Sequence, residues 1–470
     1  MSEIARDFLL LNEIFEKKIV LIGPSSTTGL FHGVLWMYVN FPAYLVGNGD
    51  PVIVGWFWVL LVVGFVASCF YIGKELFGQK TAYLYALMSS IYGVFHVRGL
   101  YNPDGAMFVI PWFFFFFIKY LKTHKARYLI AHVVAAGAII QFQMAIGIPF
   151  FILSIVYGSY YALKHGKRLH VAVYSIIILT VSNFIIFDLR HGFLLAKIVF
   201  RFATSATRDH PNIISMLDQR VRLMTTGVEI FRVDPGGRNF IMFLVCVFFL
   251  IFQIKDKKNR QIYLTFLYFY LGFFVLSNLN SGGLLYFYIY PLFPFVFLIF
   301  SSFITSRYSK LFVLIFFIVY AFNVHSAISD SYIAFVSAFG KSDISWLSYK
   351  NLAKSVFTTK DKEFGYFVYS PDVIGYRPKY ALLYTQRHYP QKKAHYFKKM
   401  PVTYLVIAPP APDRPFMKDE WWRVNLLHIN KSPDSTIKFS DGYKIEKYLL
   451  TEEEVKIPTE ENIDPGLHFR

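Results

Sequence analysis

A chain of 470 residues that is 55% hydrophobic, 20% aromatic and only 17% charged falls well short of the roughly 25% charged residues of a soluble domain. That composition excludes disorder, a coiled coil and a disulfide scaffold; the two cysteines, Cys69 and Cys246, both sit in apolar runs. The net charge of +18 would suggest nucleic acid in a soluble protein, but here it asks which side of a membrane holds the cations, and no nucleic-acid partner is expected.

Residues 2–18 read as an amphipathic helix. Ile4, Phe8, Leu11, Ile14 and Phe15 recur at helical spacing, with Arg6, Asp7, Glu13, Glu16, Lys17 and Lys18 on the other faces. Such a helix is expected to lie along a membrane interface. Gly23-Pro24-Ser25-Ser26 reads as a turn, and residues 30–46, with His32, Trp36 and Tyr38, as an apolar segment dipping into the interface.

About ten transmembrane helices follow, each long enough to cross most or all of ~30 Å of hydrocarbon at ~1.5 Å per residue. Residues 51–72, 81–97 and 105–118 are the first three, the third bounded by Asp104 and Lys119. Residues 128–163 contain no Asp, Glu, Lys or Arg and suit two spans that break near Gln141 and Gln143. Residues 169–187 and 239–254 are the sixth and seventh. The stretch 261–306 is again uncharged and breaks at the Ser/Asn/Gly-rich residues 277–283, and 311–329 is the tenth.

The connections after spans one, three, five, seven and nine carry 15 basic residues against two acids, Glu75 and Asp256; the short intervening loops offer only Arg98. The positive-inside rule makes the basic set cytoplasmic. Residues 1–50, the long loop 188–238 and the C-terminal residues 340–470 then lie outside, in a multi-pass protein of the plasma (cell inner) membrane. Because 1–50 would be outside with no signal before it, a further span upstream is expected. The organisation is therefore a first outside loop (1–50), a transmembrane domain (51–330) containing the outside loop 188–238, and an extracytoplasmic domain (340–470).

That last segment holds 21 basic and 16 acidic residues. A helix over 345–358, strands at 364–369 and 403–408, and a hairpin of 438–440 with 443–448 across Asp441-Gly442 predict a small α/β domain. It contains no Walker loop, HExxH motif or nucleophile elbow.

Ionisable residues at or near hydrocarbon depth are costly and therefore candidates for function. The outside face gathers the acids Glu3, Asp7 and Asp104, the last in Tyr101-Asn102-Pro103-Asp104. It also gathers Arg6, Arg98, and Arg190 with His191 in Asp188-Leu189-Arg190-His191. A carboxylate can take the proton of an acceptor hydroxyl, and guanidinium groups can hold phosphate oxygens bidentately. The plainer readings are helix-terminal acids for Glu3, Asp7 and Asp104, an interfacial anchor for Arg98, a pair with Asp188 for Arg190, a structural role for His32, and an aromatic belt for Tyr286, Tyr288 and Tyr290.

In order, Glu3-Ile4-Ala5-Arg6-Asp7, Leu21-Ile22-Gly23-Pro24, Phe31-His32-Gly33-Val34-Leu35-Trp36, Arg98 with Asn102-Pro103-Asp104, and Asp188-Leu189-Arg190-His191-Gly192-Phe193 resemble the GT-C superfamily of membrane glycosyltransferases. The resemblance covers roughly residues 2–330. It is nearest to the group of dolichyl-phosphate-mannose protein mannosyltransferases and bacterial aminoarabinose transferases. It implies a polyprenyl-phosphate-linked sugar donor, transfer on the outer face and an acid of the first outside loop at the reacting centre. Related bacterial sequences show Asp-Gln-Ala-Arg-Asp where this chain has Glu3-Ile4-Ala5-Arg6-Asp7, and other members carry that acid further upstream. Asp104 matches the second acidic position.

The expected function is thus glycosyl transfer from a polyprenyl-phosphate donor to a glycan, lipid or protein acceptor, among membrane lipids. Asp7 or Glu3 serves as base, Asp104 supports the acceptor or a divalent metal, and Arg6, His32, Arg98, Asn102, Arg190 and His191 bind substrate. The sequence does not give the metal need, and a divalent metal is the cofactor considered. The alternative is a flippase or other transporter; the absence of paired repeats and the large outside domain favour the enzyme.

Overall fold

A computed structural model describes residues 2–16, 19–25, 31–204, 213–226, 229–233, 237–255, 257–278, 284–339, 345–371, 374–410 and 418–460. Lys17, Lys18, Ser26, Arg208 and residues 279–283 lie outside these. In chain order the elements begin with α1 (Ser2–Phe15), β1 (Ile22–Ser25), β2 (Phe31–Gly33) and α2 (Leu35–Val46). Then come α3 (Pro51–Phe77), α4 (Gln79–His96), α5 (Asn102–Thr123), α6 (Ala126–Phe142) and α7 (Met144–Lys164). A 3-10 stretch, Arg168–Ile176, leads into α8 (Ile177–Thr180) and α9 (Ser182–Arg190). The long loop contains α10 (Leu194–Thr204) and α11 (Ile213–Thr225), and α12 (Arg238–Lys255), α13 (Arg260–Ser277), α14 (Phe293–Ser302) and α15 (Ser309–Phe339) complete the helical part. The C-terminal part is α16 (Trp346–Phe357), β3 (Glu363–Tyr369), α17 (Tyr376–Arg387), β4 (Lys393–Tyr396), β5 (Val402–Ile407), β6 (Ser435–Lys438) and β7 (Lys444–Leu449).

The protein is a polytopic helical membrane protein with a small α/β domain. Every expected span is helical, and the uncharged stretch 128–163 breaks at Gln143, between α6 and α7. Among the described residues, six helices are long and apolar enough to cross a membrane by themselves, seven if a bent pair counts as one span. The difference from ten lies in α6, which is apolar but has 17 residues, and in α4 and α13, which match α12 in length at 18 residues but are less apolar. The sixth expected span is the bent pair: Arg168–Thr180 and Ser182–Arg190 meet at 52°.

The chain divides into two compact units. One comprises Ile19–Ala43 and Val54–Asp330, the other Met1–Lys18, Tyr44–Ile53 and Ser331–His468. In the membrane unit, α5 and α14 are the most buried helices, ringed by aromatic contacts such as Phe114–Phe295 at 4.8 Å and Phe113–Phe269 at 5.3 Å. Lipid tails are as apolar as these side chains, so helices associate through close packing and polar contacts. At Gly272, for example, a Cβ would come within 2.6 Å of the Leu153 side chain.

The turn expected at 23–26 is instead β1, paired antiparallel with β2 through an irregular register. Glycines make this possible, since a Cβ on Gly23 would lie 2.6 Å from the Gly33 carbonyl oxygen, and one on Gly33 equally close to the Gln141 Cα.

In the other unit, the sheet order is β4-β3-β5-β7-β6, with β4, β3 and β5 parallel and β7 antiparallel to both β5 and β6. Both faces are covered. Phe357, Phe364, Tyr366 and Val406 pack on one side, and Phe367, Leu405, Ile407, Trp422 and Tyr448 on the other. The expected helix, two strands and hairpin are present; α17 and β4 carry no comparably strong local pattern.

The amphipathic segment read at 2–18 is helical over Ser2–Phe15, as α1. Its apolar face is spent on its own unit, with the Phe8 ring 5.2 Å from Tyr380 of α17 and 5.8 Å from Tyr44. Arg387 lies 4.7 Å over the Phe15 ring, and Leu10 and Leu11 are buried.

Candidate functional site

Asp104 anchors the polar cluster of the membrane unit. It is the third residue of α5, and its Oδ2 accepts the backbone N–H of Tyr101 at 2.9 Å, closing the first helical turn. Pro103 beside it suits that turn, where no intrahelical N–H partner is needed. Its Oδ1 accepts His96 Nδ1 at 2.8 Å, so with an ionised carboxylate Nδ1 carries the ring proton. Asp104 is fully buried (0% exposed).

The His96 ring is held between Tyr92, 4.5 Å away and stacked, and Tyr290 at 4.7 Å. Its Nε2 is buried and has no protein partner among the described residues. Asn102 is 2% exposed, and neither its amide oxygen nor its nitrogen has one. Such orphaned polar atoms are rare and mark places where water or a ligand completes the bonding.

A second group reaches the same aromatic wall. Arg232 pairs with Glu229 at 2.8 Å and donates to the Tyr286 hydroxyl at 2.8 Å, and its guanidinium lies 5.3 Å over the Phe95 ring. Tyr286 is 5.6 Å from Tyr290, ring to ring. Burial pushes the Glu229 carboxyl above its ordinary range, and Arg232, the Tyr286 hydroxyl and His96 offset this only in part.

Two span asparagines hold the segment in place. Asn323 of α15 accepts Arg232 N–H at 2.9 Å and donates to the Ile230 carbonyl at 2.7 Å. Asn239 of α12 brackets Phe231 with two 2.8 Å bonds. An apolar cavity of about 240 Å³ opens beside Ile230, lined by Phe243, Cys246, Phe266 and Tyr270 among others.

The remaining candidates of this unit are more dispersed. Arg98, on a short 3-10 turn, donates to the Asp330 carbonyl at 3.0 Å. His32 is half-buried on β2, and that hairpin is tied down by Asn183, which donates to the Leu21 carbonyl at 2.8 Å. Arg190 is exposed at the end of α9. It does not claim the Asp188 carboxylate, which instead accepts the N–H groups of Leu195 and Ala196 at the start of α10, at 2.6 and 3.1 Å. His191 Nδ1 bonds the Phe187 carbonyl at 2.8 Å and its ring stacks on Phe187 at 4.2 Å.

Glu3, Arg6 and Asp7 belong to the other unit. Glu3 is exposed on α1, whereas Asp7 is 5% exposed and accepts Arg6 Nε and Nη2 at 3.0 and 2.9 Å. The acid–base pair is local to one helical turn, so Arg6 is engaged by Asp7.

Sequence reasoning found Asp104 and Asn102 but not His96, Glu229, Arg232 or the asparagine clamps. Asn239 and Asn323 were the available signal: amide side chains in or at the ends of apolar helices. Among the described residues no three His, Cys, Asp or Glu side chains converge to hold a metal ion, so no metal-dependent step is derived.

No protein-family model and no curated protein matches the sequence. Among solved structures, ArnT from Cupriavidus metallidurans bound to undecaprenyl phosphate matches with a TM-score of 0.59 at 13% identity, over 94% of this chain and 93% of that one. ArnT from the same organism in the apo state matches with a TM-score of 0.55 at 12% identity, over 94% and 92%. Over nearly its whole length, then, this chain has a fold similar to that of ArnT.

Proposed function

We propose that the protein is a membrane glycosyltransferase that moves a sugar from a polyprenyl-phosphate donor to an acceptor on the outer face of the membrane. The observation that carries this reading is the end-to-end likeness to ArnT, whose solved structure is bound to undecaprenyl phosphate. The acceptor is a glycan, a lipid or a protein, and one carboxylate among Glu3, Asp7 and Asp104 takes its proton as it attacks the anomeric carbon. The sugar–phosphate bond breaks and the phosphate leaves with the prenyl chain.

A polyprenyl phosphate needs a cation for its head and an apolar slot for its tail. Arg232 with the cavity beside Ile230 offers both within one short segment; Arg98, Arg190 and His191 are the further candidates for the phosphate. His32, Asn102 and Arg6 are candidates for orienting the sugar or acceptor, and the unpartnered amide of Asn102 suits a sugar hydroxyl.

The test is sugar transfer by purified protein in detergent from a synthetic polyprenyl-phosphate sugar. Glu3→Gln, Asp7→Asn and Asp104→Asn preserve shape and remove a base, so at least one is expected to fall by about 10²–10⁴ in rate. A transporter would give no turnover in wild type or variants. Near-wild-type transfer by all three would reject the assigned acids. In the same assay Arg98→Ala, Arg190→Ala and Arg232→Ala are expected to weaken donor binding by about 1.5–3 kcal/mol where the guanidinium meets phosphate. Lysine should restore only part of that, lacking the planar fork. Unchanged affinity in all three moves the phosphate elsewhere.

A further inference from the structure

We infer that the end of the membrane unit built from residues 119–127 and 164–170 is a binding site for the phosphate headgroup of an anionic membrane lipid. No Asp or Glu occurs from residue 105 to residue 187. Within that stretch the first loop carries Lys119, Lys122, Lys125 and Arg127. The second carries Lys164, Lys167 and Arg168.

A helical hairpin, α6 and α7, separates the two clusters in sequence, and the fold joins them. His124 ends α5 in a left-handed conformation (φ 55°) that few residues other than glycine adopt. Its ring lies nearly parallel to that of Tyr161, with centroids 5.5 Å apart, and 4.7 Å from His165. Alongside, the Tyr120 hydroxyl and His170 Nδ1 are hydrogen-bonded at 3.2 Å. The ring cluster therefore fuses two positive loops that Coulomb repulsion alone would push apart.

Among the described residues, the only ion pair made by these loops is Lys119 with Glu75, at 2.6 Å. Lys122, Lys125, Lys164, Lys167 and Arg168 are exposed, and an anion from outside the chain would balance them. The neighbouring side chains say which anion. Leu169, 87% exposed, sits between Arg168 and His170, and the cluster caps apolar helices α5 and α7. An exposed leucine among cations at the end of spans suits an interface, with the leucine in the acyl region and the cations at phosphate level. A soluble anion would have no use for that leucine. The inference holds whichever side of the membrane this end faces, and it does not depend on the proposed sugar transfer.

The experiment is native mass spectrometry of the full chain released from detergent, offered phosphatidylglycerol and phosphatidylcholine. Wild type is expected to retain phosphatidylglycerol preferentially. Each cation removed should weaken that retention about fivefold, so Lys122→Ala/Lys167→Ala/Arg168→Ala should lose it about a hundredfold. The control triple Lys255→Ala/Lys257→Ala/Arg260→Ala, on a different basic loop, should keep the preference. Should the first triple fail to fold, the single exposed change Lys167→Glu decides, with an expected loss of about tenfold or more. Four results overturn the proposal: equal retention of the two lipids by wild type, an equal loss in the control triple, displacement of the lipid by excess inorganic phosphate, or retention of a polyprenyl phosphate but not of phosphatidylglycerol.

Discussion

Asp104 in the membrane unit and Asp361 in the C-terminal part are both carboxylates with two partners, but they do different structural work. Asp361 is 20% exposed and lies just before the interior strand β3, where Lys447 of β7 approaches to 2.8 Å and the Tyr404 hydroxyl of β5 donates to it. Around it the sheet is covered on both faces by apolar side chains, so water-driven burial supplies most of the stability. Asp104 is fully enclosed, bonded to His96 and to the start of its own helix. Among lipid tails there is little hydrophobic drive between helices, so close packing and polar bonds hold them together. The lesson is that an acid in the α/β part trims a core that exists without it, whereas an acid in the bundle is part of what fixes a helix end.

The comparison is sharpened most by an apolar truncation. Phe8→Ala should destabilise the unit that contains α1 by about 3–5 kcal/mol, because the ring packed on Tyr380 and Tyr44 is removed and the space cannot fully collapse. Chemical denaturation followed by near-UV signal would measure it; a change below ~1 kcal/mol would mean that α1 is not docked there. Next comes Asp104→Ala, which leaves the Tyr101 N–H and His96 Nδ1 buried without acceptors and should cost about 2–4 kcal/mol. Thermal unfolding in detergent reads this, and an unchanged midpoint would break the contrast drawn above.

The smallest effect is Asp361→Ala, at under about 1 kcal/mol for a partly exposed pair. It carries a pH signature. Burial raises the Asp361 pKa, but the Lys447 ammonium and the Tyr404 hydroxyl outweigh it and hold the carboxyl below its ordinary value. A depressed carboxylate contributes stability that is fully present above the unfolded pKa, near ~3.9, and is lost as pH falls through the lower folded value. The wild type should therefore lose a stability increment between about pH 4 and more acid conditions that Asp361→Ala lacks. Parallel acid titrations of the two proteins would test this.

Local patterns carried much of this protein's description. Hydropathy runs located the long apolar helices, the glutamines marked the break between α6 and α7, and Asp441-Gly442 marked the C-terminal hairpin, because each depends on neighbours within one or two turns. Tyr101-Asn102-Pro103-Asp104 also announced a helix start, and Asp104 does close that first turn. What lay beyond reach required distant partners. His96 is an ordinary residue until the fold brings Tyr290 to its face. Arg232 is one arginine among many until Asn239 and Asn323, from two other helices, hold its segment against Tyr286. The helix α1 has the amphipathic pattern of an interfacial helix, but an apolar stripe does not specify what will cover it. Here Tyr44 and α17 do, and α17 enters the chain more than 300 residues later. Periodicity and charge are properties of a segment, and they determined the elements and their order. The pairing of faces, the enclosure of Asp104 and the meeting of two basic loops through His124, Tyr161 and His165 are properties of contacts between segments, so only the tertiary structure decided them.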